Sequence, residues 1–267
     1  MSAAADRLRQ FLREQVGVSL GPEKDYLIDS RLRDLLRRWQ LGDLSALAER
    51  LAQQPVGALA SAVTSALTTH ETSWFRDRRP FERLRDEVLP LLRQHPLRPL
   101  SLWSAACSTG QEAYSLAMLL REQGLHPPQW QVSLLASDIC EPALAQAALG
   151  VYSAFELGRG LPDGYLGRYF QPAGADWQVL PALRAAIRFE ALNLIRLPPG
   201  LGRFNVIFCR NVLIYFEPAL QQSVLRQLQD RLQPGGFLFL GAAESPLGLG
   251  NALQPWGGHS GLYRLPP

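Results

Sequence analysis

Leu100 to Met118, LSLWSAACSTGQEAYSLAM, is the stretch on which the reading of this chain turns. The apolar run from Leu100 to Cys107 has the length and composition of a buried parallel strand. Ser108-Thr109-Gly110 is a small-residue turn, and from Gln111 the pattern becomes helical, with Ala113, Leu116, Ala117 and Leu120 on one face. Such a turn lets a ligand lie against backbone. The spacing lacks G-x-G-x-x-G and no Gly-Lys-Ser/Thr follows, so it is neither a dinucleotide fingerprint nor a P-loop. Alone it is compatible with an ordinary strand-to-helix corner. A second apolar run, Val132 to Ala136, closes with Ser137-Asp138. An acid at the end of the next strand accepts hydrogen bonds from both hydroxyls of a ribose, so the order turn, helix, strand, Asp138 points to an adenosine site.

Composition bounds the rest. A chain of 267 residues buries a full core and accommodates one large domain, or a large and a small one. The net charge of +3 is mild, and Lys24 is the only lysine. The arginine bias follows from genomic composition as readily as from nucleic-acid binding. No run of 18 apolar residues occurs and MSAAADRLRQF has no apolar signal core, so a cytoplasmic protein is expected. Cys107, Cys140 and Cys209 lack metal spacing and read as small hydrophobes in a reducing compartment. His70, His95, His126 and His259 are too scattered for zinc, and no metal is expected.

Upstream, the pattern is helical. Ala4–Val16 carries Leu8, Phe11 and Leu12 on one face and stops at Gly17, and Tyr26–Trp39 repeats this with Leu32, Leu35 and Leu36. Asp43 caps a helix from Leu44 to Gln53, and Pro55 is expected in the first turn of a fourth reaching about Leu67. Arg31, Arg33, Arg37 and Arg38 crowd one helix. They suit either a solvated polar face or a dock for an acidic helical partner. Thr68 to Arg76, TTHETSWFR, mixes caps, aromatic anchors and charges in a way a plain connection does not need, and loops of that make-up often belong to sites. A helix from about Arg79 to Arg93 follows, stopped by Pro96 and Pro99.

Downstream, Glu141-Pro142 opens a helix to about Leu149. Tyr152 to Gly174 is rich in Gly, Tyr and Phe, and short extended runs follow at Trp177–Leu180 and Ala186–Ala191. A plain βα unit does not spend so many residues here, so a small inserted lobe is expected, its last strand leading back into the main sheet. Asn193-Leu194 falls at a strand end, where an amide pairs with an adenine edge or caps a local turn. Phe204–Cys209 is the third strong strand, and Arg210-Asn211 lies just beyond it at the sheet edge where open α/β folds bind ligands, with Tyr215 and Phe216 close behind. A helix from Pro218 to Leu232, a Pro234-Gly235-Gly236 turn, a strand Phe237–Leu240 and edge strands near Trp256 and Ser260–Leu265 complete the chain.

TTHETSWFR, LWSAACSTGQEAYSLAM, ASDI, ALNL, FCRNVLIYF and LQPGGFLFLGAAES, in that order, resemble the CheR-type chemotaxis receptor methyltransferases, protein-glutamate O-methyltransferases, over nearly the whole chain. The resemblance implies an all-helical domain at 1–67, a joining loop and helix at 68–98, and a Rossmann-like α/β domain at 99–267 with a β-subdomain inserted at about 165–188. It implies S-adenosylmethionine as cofactor, S-adenosylhomocysteine as product, and glutamates of a chemoreceptor's cytoplasmic helical bundle as substrate. Cofactor contacts then fall on His70, Thr72, Arg76, Ala106, Glu112, Asp138, Asn193, Leu194, Arg210 and Asn211, and catalytic roles on Arg76 and Tyr215. His70 stands where the family usually has Asn, Gln111 replaces a common Glu and Ala113 a common Pro. Arg76 either orients the incoming glutamate or grips the cofactor's carboxylate by a forked ion pair.

The family resemblance also implies docking through the Arg31–Arg38 helix and the inserted lobe, a monomer, and no nucleic-acid or membrane partner. The short interval from Phe170 to Asn193 favours an enzyme that works without a receptor tether. Rival readings are a methyltransferase for a small molecule, RNA or another protein, a non-catalytic scaffold, and a dehydrogenase. Balanced charge outside Arg31–Arg38 disfavours RNA, intact Glu112, Asp138 and Arg210-Asn211 disfavour a scaffold, and the missing glycine pattern disfavours a dehydrogenase.

Overall fold

The computed structural model describes residues 3–94, 99–246, 252–258 and 260–267. Pro96, His95 and His259 lie outside them.

Four amphipathic helices open the chain: α1 (Ala3–Val16), α2 (Asp25–Arg38), α3 (Leu44–Gln53) and α4 (Ala58–Leu67). Their apolar stripes, among them Leu8, Leu12, Ile28, Leu32, Leu47, Leu51 and Val63, form one core. Asp43 caps α3 by accepting the Ala46 N–H at 2.8 Å. Pro55, expected inside the first turn of α4, lies before it. The chain turns instead at Gly57, whose φ of 111° is open to glycine at little cost, and α4 begins at Ala58. Between Arg79 and Leu92 the helix is not uniform: α5 (Arg79–Arg83) passes through a π-helical turn, Leu84–Val88, into α6 (Leu89–Leu92).

The second half is built on a seven-stranded sheet. Its strands are β1 (Leu100–Ala105), β2 (Val132–Asp138), β6 (Ile187–Ala191), β7 (Phe204–Cys209), β8 (Leu232–Leu240), β9 (Gln254–Pro255) and β10 (Leu262–Arg264), in the order β6-β2-β1-β7-β8-β10-β9. The first five are parallel, and β10 and β9 finish the edge antiparallel. Crossovers run through α7 (Gln111–Glu122), α8 (Glu141–Leu149) and, between β7 and β8, α12 (Pro218–Asp230). The chain builds outward from β1 through β2 to β6, then returns to lay β7 on the other side of β1. Order therefore reverses between β1 and β7, and their carboxyl ends diverge to leave a crevice.

Strand β1 stops at Ala105, short of the expected Cys107, because Ala106 takes a left-handed φ of 60° that no strand continues. The Pro234-Gly235-Gly236 segment, expected as a turn, lies inside β8 at a register shift opposite Phe204 and Val206. A Cβ on Gly236 would stand 2.8 Å from the Gln233 carbonyl oxygen and 3.1 Å from that of Asn205, so glycine lets the two backbones pack there. The helix expected to reach Leu232 ends at Asp230.

Between α8 and β6 sits a three-stranded sheet, β3 (Val151–Tyr152), β4 (Phe170–Ala173) and β5 (Asp176–Val179), in the order β3-β5-β4. Short helices α9 (Ala154–Leu157), α10 (Tyr165–Tyr169) and α11 (Pro181–Arg184) flank it. The small sheet thus takes its first strand from upstream of the 165–188 span, and Ile187 already belongs to the main sheet. Trp74, fully buried, packs edge-on against Tyr152 at 4.9 Å and Phe170 at 5.4 Å between centroids. The lobe thereby anchors the 68–78 loop. The helical domain is anchored too: its core is continuous with Trp103, Leu135 and Ile207 of the sheet and Leu225 of α12.

Candidate active site

A cleft enclosing about 1250 Å³, its solvent-filled mouth included, opens at the carboxyl edge of β1, β2 and β7. His70, Thr72, Arg76, Ala106, Glu112, Asp138, Asn193, Leu194, Arg210, Asn211 and Tyr215 all border it. Thr109 and Gly110 do not. Gly110, at φ 96°, turns behind the wall, where a Cβ would come within 2.8 Å of the Ala147 side chain.

Asp138 ends β2 with its carboxylate buried in the cleft wall. Oδ2 accepts the Ser108 N–H at 2.8 Å and Oδ1 the Cys140 N–H at 2.9 Å. Each oxygen keeps a second lone pair, so the group is orientated by the backbone and still able to accept from a vicinal diol. Glu112, in the first turn of α7, accepts from Ser104 Oγ at 2.7 Å and from Arg210 Nη1 at 3.1 Å. Its side chain is 12% exposed and puts negative charge at the floor.

Arg210 commits most of its guanidinium to protein partners. The side chain is 1% exposed, and it donates to Glu112, to the Arg76 carbonyl at 3.0 Å and to Asp77 Oδ2 at 2.6 Å. It ties the glycine-turn helix to the 68–78 loop while bordering the cleft, and its Nε–H has no partner among the described residues. The loop needs tying, because Phe75, Asp77 and Arg78 all hold φ between 43° and 65°. Left-handed conformations in such residues cost roughly 1–3 kcal/mol each and persist where the surroundings impose them. Arg76, between them, donates Nη1–H to the Glu71 carbonyl at 3.0 Å, leaving the rest of its donor fork for a ligand.

Asn193 is partly committed elsewhere. Its Nδ2 donates to the Gln15 carbonyl at 2.7 Å and its Oδ1 accepts the Ile195 N–H at 3.1 Å, so the local cap is formed and one amide hydrogen remains. His70 lies within 3.0 Å of Thr68 Oγ1 and 3.1 Å of the Ser65 carbonyl through Nε2. Its pKa is held above the ordinary histidine value, chiefly by a hydrogen bond with the Cys140 thiol, against burial, with the Asp138 charge adding to the rise. The thiols of Cys107 and Cys209 are pushed up by burial. Among the described residues no cluster of His, Cys, Asp and Glu is arranged to hold a metal ion.

Three contributors escaped the sequence. Asp77 fixes Arg210. The α1–α2 connection supplies a wall through Val16, Val18, Leu20 and Lys24, pinned by a Val18–Phe216 bridge and by Ser19 N–H donating to the Tyr215 carbonyl at 3.1 Å. Glu244 supports the Asn211–Leu213 turn from below. Only Asp138 and the strand-end polar pair leave a pattern in sequence; the others act through partners far along the chain.

Residues 3–68 match the family described as "CheR methyltransferase, all-alpha domain", and residues 70–257 the one described as "CheR methyltransferase, SAM binding domain". "Chemotaxis protein methyltransferase Cher2" of Pseudomonas putida is 40% identical over 254 residues, 93% of this chain and 92% of that protein. "Chemotaxis protein methyltransferase 1" of Pseudomonas aeruginosa is 42% identical over 253 residues, 92% of each chain. The "Chemotaxis protein methyltransferase" of Salmonella typhimurium is 34% identical over 248 residues, 90% of this chain and 82% of its own.

Proposed function

The chain belongs to the CheR methyltransferase family, and from that premise we propose that it methylates glutamate side chains on the cytoplasmic helical bundle of a chemoreceptor. The cleft fits the cofactor on its own terms. Asp138 offers two orientated acceptors for the ribose, Ala106 turns away with a left-handed backbone that opens the wall, and Leu192 and Leu194 supply apolar surface for a base. Glu112 suits a cationic head group and Arg76 a carboxylate. When bound, S-adenosylmethionine supplies a sulfonium-activated methyl group for direct displacement by the substrate oxygen.

The chain's own task is placement. A glutamate with an ordinary pKa of about 4.3 is already ionised, so no general base is needed. One C–O bond forms as the C–S bond breaks, and its electron pair stays on sulfur. Opposite charges diminish along this path, so strong cations at the attacking oxygen would stabilise the ground state more than the transition state. Tyr215 meets the need by donating an uncharged hydrogen bond to the incoming oxygen. Arg210, buried and spent on Glu112, Asp77 and the Arg76 carbonyl, adds rigidity without standing at the reacting atom. Arg76 is a cleft-lining guanidinium of the loop with donors to spare. Whether it grips the cofactor or the substrate is read from which KM moves in Arg76→Ala.

A chemoreceptor is the partner. Docking through α2 rests on Arg33 and Arg38, because Arg31 donates to the Leu67 and Thr68 carbonyls at 3.2 Å and Arg37 pairs with Asp34. The inserted lobe is the second dock. Its β4–β5 hairpin closes through Gly174-Ala175, too tight for a long peptide-holding loop, which favours an enzyme working without a tether. Among the described residues no helix is long and apolar enough to cross a membrane.

The observation that carries this reading is the convergence of Asp138, Glu112, Arg76 and Tyr215 on one cleft at the β1/β7 switch point. Calorimetric titration with S-adenosylhomocysteine and with NAD tests it. The homocysteine nucleoside is expected to bind and NAD to show no heat; binding of NAD alone would overturn it.

A further inference from the structure

Beyond the end of β8, Glu244 is buried, and its carboxylate accepts four backbone N–H groups. Oε1 takes those of Val212 at 2.8 Å and Leu213 at 2.7 Å; Oε2 takes those of Asn211 at 2.9 Å and Gly241 at 2.7 Å. Among the described residues no basic side chain pairs with it. We propose that Glu244 is the positioning residue for the methyl-transfer wall, holding the Asn211–Tyr215 turn in the one conformation that presents Tyr215 to the substrate.

The geometry supports this step by step. Strand β7 ends at Cys209, and the chain must reverse within a few residues to put Asn211, Val212 and Tyr215 along the cleft. It does so through a left-handed Asn211, φ 58°, into a 3-10 turn at Leu213–Tyr215. A turn this short cannot satisfy its own leading N–H groups, and buried donors left unpaired are costly. One carboxylate answers three consecutive donors and, through Gly241, fastens them to β8. Glycine is required at that fastening, since a Cβ on Gly241 would stand 2.8 Å from Glu244 Oε2 and 2.9 Å from Asn211 Nδ2. The carboxylate never reaches the cleft, so it acts only through the residues it holds.

The inference rests on the role given to Tyr215 above. Its test pairs Glu244→Gln with Tyr215→Phe in a double-mutant cycle on methyl transfer to a receptor cytoplasmic fragment, with hydrogen exchange of the peptide 210–216 alongside. The amide keeps the shape but turns a donor toward two of the four N–H groups. Expected for Glu244→Gln are faster exchange confined to 210–216, S-adenosylhomocysteine affinity within about threefold, and kcat lower by about 10²-fold, the effect of a small misplacement. Adding Tyr215→Phe should then cost almost nothing further, because the hydroxyl is already out of place. Should Glu244→Gln fail to fold, Gly241→Ala perturbs the same fastening and enters the same cycle. Unchanged exchange at 210–216 would overturn the proposal, as would multiplicative effects of the two substitutions. Wild type without turnover would sink the enzymatic reading instead, and the exchange arm would still decide for Glu244.

Discussion

Asp138→Ala separates ligand binding from fold maintenance, because the carboxylate serves both. On the ligand side the side chain offers two charged acceptors to a ribose diol. Hydrogen bonds to charged groups contribute about 1.5–3 kcal/mol each, and water entering the vacated space recovers part of that. A net loss of about 3 kcal/mol corresponds to a Kd for S-adenosylhomocysteine raised by roughly 10²-fold. On the protein side the buried N–H groups of Ser108 and Cys140 lose their acceptor. At about 1–3 kcal/mol per orphaned group the cost is roughly 2–6 kcal/mol. A chain of this size loses about 2–4 °C of Tm per kcal/mol, so Tm should fall by roughly 5–20 °C. Asp138→Asn keeps one acceptor and should fall between wild type and Ala on both scales. Calorimetry below the lowered transition, with thermal unfolding in parallel, reads the two effects independently. A lowered Tm with Kd within about threefold of wild type would make Asp138 a structural residue and remove the ribose reading.

Arg210→Lys keeps the charge but cannot span Glu112, Asp77 and the Arg76 carbonyl; breaking the largely buried Glu112 pair costs up to about 3–5 kcal/mol, and the half-exposed Asp77 adds less. Chemical denaturation should show that loss together with a reduced kcat, and wild-type values of both would contradict the clamp. Gly160→Ala should destabilise by roughly 1–3 kcal/mol from backbone strain alone, since Gly160 sits at φ 95°, and its Cβ would also strike the Trp74 carbonyl oxygen. A stable, fully active variant would show that the lobe does not hold the loop. His70 has a raised pKa, so its contribution to stability is complete below the unfolded value of about 6.5 and is lost as pH rises through the folded value. The stability gap between wild type and His70→Asn should therefore narrow as pH climbs above about 6.5, and a gap independent of pH would refute the shift.

What sequence made legible was whatever acts through short-range pattern. Leu100–Ala105 followed by a small turn and an apolar helical face, Asp138 at the end of an apolar run, and Asp43 before a helix each state their chemistry within a few residues. The errors share the opposite property. Pro55 is a good first-turn residue, yet Gly57 with its positive φ sets the start of α4. Arg210 stands at the sheet edge, as expected, and what stayed hidden is that three partners from distant segments hold its guanidinium. Arg31 reads as part of a basic face and is spent on the last carbonyls of α4. Glu244 gives no signal at all, since its partners are peptide N–H groups, three of the four some 30 positions upstream, and every residue but proline carries one.

The most direct measurement incubates the full chain with S-adenosylmethionine and a chemoreceptor cytoplasmic fragment, then maps the fragment by mass spectrometry before and after mild alkali. Methyl groups should appear on glutamate side chains of the helical bundle, disappear with alkali, and match the S-adenosylhomocysteine released one for one. Methylation that resists alkali, or nucleoside product formed with an unmodified fragment, would contradict the assignment of a carboxylate acceptor.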